Sequence, residues 1–111
     1  MAQNFRRFIE RNIGTSAVDV PDGSDFDSFD AIIGVHLANV TGSTINVDVY
    51  IANSSNNYHL VKNAPIPSGG ALQLIDGGAK IVVATGDRLY IKSDTASSLD
   101  AWVSVVDSIS T

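Results

Sequence analysis

Cysteine is absent from this 111-residue chain, and tryptophan and glutamate each occur once. Without cysteine neither a disulfide nor a thiolate metal site can form, so packing and backbone hydrogen bonds must hold the fold. No apolar run approaches the roughly 20 residues that a membrane-spanning helix needs. The N-terminus, with Arg6, Arg7 and Glu10, lacks the continuous apolar stretch of a signal peptide. The sequence therefore predicts a soluble protein that is made in the cytoplasm.

Basic residues are also few, because seven lysines and arginines stand against twelve acidic residues, for a net charge of −5. Such a chain lacks the basic surface that nucleic acid binding requires. The charge is uneven: residues 1–11 carry three arginines and one glutamate, whereas 12–111 carry four basic and eleven acidic groups. Opposite charges orient association, so this division favours contact between like subunits. A solvated, frayed terminus is the other interpretation.

Alternation with a period of two dominates from residue 31 onward. The clearest run, 45–51, alternates aliphatic residues with Asn, Asp and Tyr, which places the two kinds of side chain on opposite faces of a strand. Further short apolar runs are separated by turn clusters such as 76–78. Pro65 and Pro67 place 63–67 at a sheet edge or in a crossing loop. The pattern predicts one all-β domain over 31–111, an antiparallel β-sandwich or jelly roll of about seven to eight short strands.

The first thirty residues follow no such alternation. Phe5, Phe8 and Ile9 fit either a helical stripe or an irregular arm, and 21–30 is an acidic loop that also contains phenylalanines. Exposed apolar side chains of this size need burial, on this domain or on a neighbour. We expect residues 1–20 to form an extended N-terminal arm that docks on a neighbouring subunit. The predicted partner-binding residues are Phe5, Arg6, Arg7, Phe8, Ile9 and Arg11.

The acidic loop holds the only cluster of candidate metal ligands. Its members are Asp22, Asp25, Asp27 and Asp30. Carboxylates on a flexible loop suit calcium, but their spacing does not match the helix–loop–helix calcium pattern, and acidic loops are more often solvated. His36 and His59 have no second ligand at a metal-like spacing. We therefore expect neither a metal nor any other cofactor.

Nothing in the sequence nominates catalytic residues, so we expect no enzyme. No serine can be assigned a histidine and a carboxylate, and the single glutamate leaves a glycosidase without a recognisable carboxylate pair. The alternative to a docking protein is a carbohydrate-binding module, in which aromatic side chains stack on a sugar. Its candidates are Tyr50, Tyr90 and Trp102. A second sheet that covers these rings is the competing interpretation.

Strand and turn segments along nearly the whole chain carry a family resemblance. They are FRRF at 5–8, RNIGT at 11–15, IGVHLANVT at 33–41, VDVYI at 47–51, LVKNAPIPSGG at 60–70, ATGDRLYIKS at 84–93, ASS at 96–98 and VSV at 103–105. Together they resemble the small virion structural proteins of tailed bacteriophages, including those that infect marine cyanobacteria. Residues 22–30 are more acidic than is expected of this family.

The resemblance implies a non-enzymatic component of the phage particle that is present in many copies. A capsid decoration, neck, tail or baseplate location is compatible with it. The implied partners are copies of the chain itself and other virion proteins, with no nucleic acid and no membrane. The protein would be located in the virion after assembly in the host cytoplasm. The alternative function is a carbohydrate-binding β-sandwich module or a host-surface adhesin.

Overall fold

Two antiparallel sheets pack face to face in the computed structural model, which describes residues 4–20, 31–75, 81–83 and 86–107. The strands are β1 (Asn4–Ile13), β2 (Val18–Val20), β3 (Ala31–Asn39), β4 (Ile45–Asn53), β5 (Asn56–Ile66), β6 (Ala71–Ile75), β7 (Ile81–Val82), β8 (Arg88–Ser93) and β9 (Leu99–Asp107). The first sheet has the order β1-β9-β3-β6, with the two-residue β7 beside β3, and the second has the order β2-β8-β4-β5. The predicted β-sandwich is confirmed.

Alternate residues of the strands meet in one core between the sheets. In β4, Val47 and Val49 are buried, whereas Asp48 and Tyr50 face outward. The largest fully buried side chains are Ile13, Ile32, Leu37, Ile45, Ile66, Leu89, Ile91 and Leu99. Burying an aliphatic side chain of this size contributes about 1.5–3 kcal/mol to folding. The core therefore accounts for a stable domain without disulfides.

The strand β1 is the element that the sequence pattern did not predict. It pairs with β9, and one extra residue between Glu10 and Ile13 makes a bulge in which Asn12 has a φ of 57°. A bulge reverses the alternation, and here it turns Ile13 into the core. Residues 4–20 thus supply an edge strand to each sheet of their own domain. The described residues of this segment are therefore strands of the domain and not a separate extended arm, while their contact with a neighbouring subunit stays a prediction.

One end of the sandwich is held together by the buried side chain of Asn39. Its Nδ2 donates hydrogen bonds to the carbonyl oxygens of Ser43 at 2.7 Å and Ile66 at 2.9 Å. Its Oδ1 accepts from the backbone N–H of Thr41 at 2.9 Å and from the Thr41 hydroxyl at 2.8 Å. A single amide therefore joins the loop after β3 to the end of β5 in the other sheet.

We expect Asn39→Ala to destabilise the domain by about 3 kcal/mol, because the substitution leaves the buried Ile66 carbonyl and the part-buried groups of Thr41 and Ser43 without this partner. Asn39 is 3% exposed, whereas Asn57 is an exposed asparagine in β5. Asn57→Ala is the matched control and should stay within about 0.5 kcal/mol of the parent. Urea unfolding of the two variants measures the difference. Equal stabilities would show that the Asn39 hydrogen bonds do not hold this end of the sandwich.

Candidate docking surface

The outer face of the first sheet carries an exposed tryptophan at the centre of a cross-strand row. Trp102 on β9 lies opposite Ile9 on β1 and His36 on β3. Gln73 on β6 continues the row, and its Oε1 lies 2.7 Å from Nδ1 of His36. Trp102 faces outward because both of its neighbours in β9 are buried in the core.

Two arginines of β1 frame this row. The guanidinium carbon of Arg7 lies 5.2 Å from the ring centroid of Trp102, within the range of a cation–π contact. Arg11 borders a shallow depression of about 220 Å³ together with Ile9 and Trp102, and the carboxylates Glu10 and Asp100 also line it. Ile9 and Trp102 are each 49% exposed, so two large apolar side chains adjoin on the surface. We call Arg7, Ile9, Arg11 and Trp102 the Trp102 patch.

The Trp102 patch contains three of the six residues that the sequence nominated for partner binding, namely Arg7, Ile9 and Arg11. Phe8 packs against the core and does not belong to the Trp102 patch, and its contact with a partner stays a prediction. The guanidinium carbon of Arg6 lies 5.4 Å from the Phe8 ring centroid rather than over Trp102. The side chain of Phe5 lies outside the described part of the chain.

Sequence reasoning missed that Trp102 belongs with the arginines of β1. Their proximity depends on the pairing of β1 with β9, which joins residues about ninety positions apart and has no local signature. One signal was available in the sequence. Trp102 occupies the polar-facing register of its strand, between residues of the aliphatic register.

The outer face of the second sheet carries an aromatic row of its own. Tyr90 on β8, Tyr50 on β4 and His59 on β5 are cross-strand partners, and Asp19 on β2 extends the row. The Tyr50 and Tyr90 rings are stacked with centroids 5.4 Å apart, and the Tyr50 and His59 centroids are 5.0 Å apart. At the end of this row, Arg88 makes an ion pair with Asp19 at 3.4 Å.

The two aromatic groups cannot form one sugar site, because they lie on opposite sides of the sandwich. Trp102 is on the outer face of the first sheet, and Tyr50 and Tyr90 are on the outer face of the second. Moreover, β5 and β8 flank β4, so the Tyr50 ring has a neighbouring ring on each side. Sugar stacking needs a free ring face. The predicted set of Tyr50, Tyr90 and Trp102 is therefore divided, and Trp102 is the member of that set that is exposed.

Ionisation of Tyr50 is expected to destabilise the fold at alkaline pH. Burial raises the pKa of the Tyr50 phenol above its ordinary value of 10.0, and the charges of Tyr90 and Asp48 raise it further. A group whose pKa is higher in the folded than in the unfolded chain contributes to the free energy of unfolding. This contribution is complete below the unfolded-state pKa and is lost as the pH rises through the folded-state pKa. Tyr50→Phe cannot ionise and should lose less stability above about pH 10 than the parent chain.

Urea unfolding at a series of alkaline pH values measures this effect. Trp102→Phe removes no ionisable group and serves as the control, with an alkaline loss equal to that of the parent. An equal loss in Tyr50→Phe would show that the Tyr50 phenol ionises as readily in the folded as in the unfolded chain.

Both histidines lie in sheets, and each contacts a neighbouring side chain on the adjacent strand. His36 is bonded to Gln73, and His59 packs on Tyr50. Among the described residues no group of three or more His, Asp or Glu side chains could hold a metal ion. The candidate ligands Asp22, Asp25, Asp27 and Asp30 lie outside those residues.

Within the part of the chain that the structure describes, no helix is long and apolar enough to cross a membrane. Neither a protein-family model nor a curated protein sequence matches the chain.

Proposed function

We propose that this chain is a non-enzymatic structural component of a tailed bacteriophage particle, present in multiple copies and docking on neighbouring virion subunits. Its partners would be copies of itself and other virion proteins, and its location would be the virion. The resemblance of its strand and turn segments to small phage virion proteins gives the context. The Trp102 patch is the observation that supports docking.

The composition of the Trp102 patch is that of an interface centre. Tryptophan and arginine are enriched among the residues that carry most of the binding energy at protein interfaces. Trp102 and Ile9 supply apolar area, while Arg7 and Arg11 supply donors for carboxylates or carbonyls on a partner. Because the patch lies on a rigid sheet, little ordering entropy opposes docking. The Trp102 patch therefore suits contact with a protein better than a sheet face made of small polar side chains would.

Docking in this proposal occurs through a sheet face and not through a projecting arm. The basic N-terminal residues still contribute, since Arg7 and Arg11 reach the partner from β1. The body of the chain supplies Trp102, so the docking surface forms only after β1 and β9 have paired. Folding thus precedes docking.

Quantitative mass spectrometry of purified virions whose genome encodes the chain tests the virion role. We expect the chain to be present at many copies per particle and to resist removal by washing in buffer of moderate ionic strength. Absence of the chain from particles, in a lysate where it is abundant, would overturn the proposal.

A carbohydrate-binding module or host-surface adhesin is the second candidate, and the exposed ring of Trp102 favours it. Polar groups suited to sugar hydroxyls lie beside this ring, on His36 and Gln73. Arg7 covers part of the ring, which leaves less of its surface for stacking. On a glycan array this function requires binding that Trp102→Ala abolishes and Tyr50→Ala retains. Absence of binding to any glycan would exclude it.

A further inference from the structure

We infer that the Trp102 patch accepts the acidic segment 21–30 from a second copy of this chain, so that copies associate head to tail. This inference rests on the proposed docking function and names its partner. In the isolated chain Ile9 and Trp102 keep half of their surface exposed. Two adjoining apolar side chains beside two arginines form a surface that a second molecule can cover.

The chemistry of segment 21–30 complements the patch in both of its components. The ten residues of the segment, PDGSDFDSFD, include four aspartates, two phenylalanines and no basic residue. Carboxylates suit Arg7 and Arg11, and aromatic rings suit Ile9 and Trp102. The net charge of the chain follows the same division: residues 1–11 carry three arginines and one glutamate, whereas residues 12–111, which include this segment, carry four basic and eleven acidic groups.

A contact between two different surfaces has a consequence for assembly. Each copy carries one patch and one acidic segment, so each can bind one neighbour on either side. Heterologous contacts of this kind close into rings or extend into filaments, whereas a contact of one patch with another would stop at a dimer. A ring or filament of this kind would hold many copies of the chain side by side.

Paired charge reversals test the inference by sedimentation velocity on the full chain. Arg7→Glu with Arg11→Glu disables the patch, and Asp25→Lys with Asp27→Lys disables the segment. The parent chain is expected to self-associate with increasing concentration, and less so in about 1 M salt, where the screening length falls to about 3 Å. Each double variant alone is expected to associate at least about tenfold more weakly.

An equimolar mixture of the two double variants gives the distinguishing result. The intact patch of one and the intact segment of the other allow a single contact, so a 1:1 complex that does not grow further is expected. A chain with all four substitutions exchanges the two charges and should regain self-association, which a variant that merely unfolds cannot do.

Three outcomes would overturn the inference: a parent chain that stays monomeric at every concentration, a disabled patch or segment that associates like the parent, or a mixture without 1:1 complexes. These outcomes differ from failure of the virion role, which would appear as absence of the chain from particles. A chain that is present in virions but does not bind its own copies would retain the proposed function and lose this inference.

Discussion

Removal of residues 1–13 is expected to abolish cooperative folding of the domain. The deletion takes away β1, exposes the edge of β9, and empties the core position of Ile13, which is 1% exposed. It also removes Phe8, which packs against the core. The combined loss of apolar burial and ladder hydrogen bonds is at least about 5 kcal/mol, comparable with the whole stability of a small domain. Circular dichroism during heating measures the outcome.

Two isoleucines of β1 provide a matched pair of substitutions that test whether β1 belongs to the folded domain. Ile13→Ala should cost about 2–5 kcal/mol because it leaves a core cavity. Ile9→Ala should cost only about 1 kcal/mol, since Ile9 is half-exposed and its removal leaves no core cavity. A truncated chain that melts at the temperature of the full chain would contradict the assignment of β1 to the core. That result would return residues 1–13 to a separate docking arm.

Trp102→Ala is expected to weaken docking by a factor of about 30 to 1,000. This factor corresponds to the binding free energy of about 2–4 kcal/mol that is lost when an aromatic at the centre of an interface is truncated. The substitution should also lower the free energy of unfolding by about 1–3 kcal/mol, because about half of the Trp102 surface is covered by its own sheet. Circular dichroism of the variant therefore establishes that it is folded before its incorporation is compared. The fraction of chains incorporated into particles, in a phage that lacks its own copy of the gene, measures the docking.

Tyr58→Ala is the control for this substitution. Tyr58 is 60% exposed on β5 of the other sheet. The control therefore also removes an exposed aromatic side chain, but one that lies outside the Trp102 patch. It should be incorporated like the parent chain. Equal incorporation of the Trp102→Ala and parent chains would show that the outer face of the first sheet is not the docking surface.

The strands after residue 30 could be predicted because their alternation depends on local sequence. The run around Val47 and Val49 is a strand with one buried face, and Pro65 lies in the edge strand β5, as its missing N–H requires. The strand β1 could not be predicted in the same way. Its bulge at Asn12 interrupts the alternation, and the spacing of Phe5, Phe8 and Ile9 imitates a helix.

The Trp102 patch was predictable only in part, for a related reason. Sequence composition identified the arginines of the N-terminus and, separately, an aromatic residue in the polar register of the last strand. Strand order decides which of these meet, and that order depends on pairing between distant segments. Because of this strand order, Arg7 lies beside Trp102, Phe8 packs against the core, and Trp102 and Tyr50 lie on different sheets.

Oxidative footprinting of Trp102 tests most directly whether this face is covered in the assembled particle. Trp102 is the single tryptophan of the chain, so the peptide that carries it reports on the patch alone. The isolated chain should be oxidised readily at Trp102, and the same residue in intact virions should be strongly protected. Oxidation of Trp102 at the same rate in virions and in the isolated chain would contradict the assignment of the Trp102 patch as the docking surface.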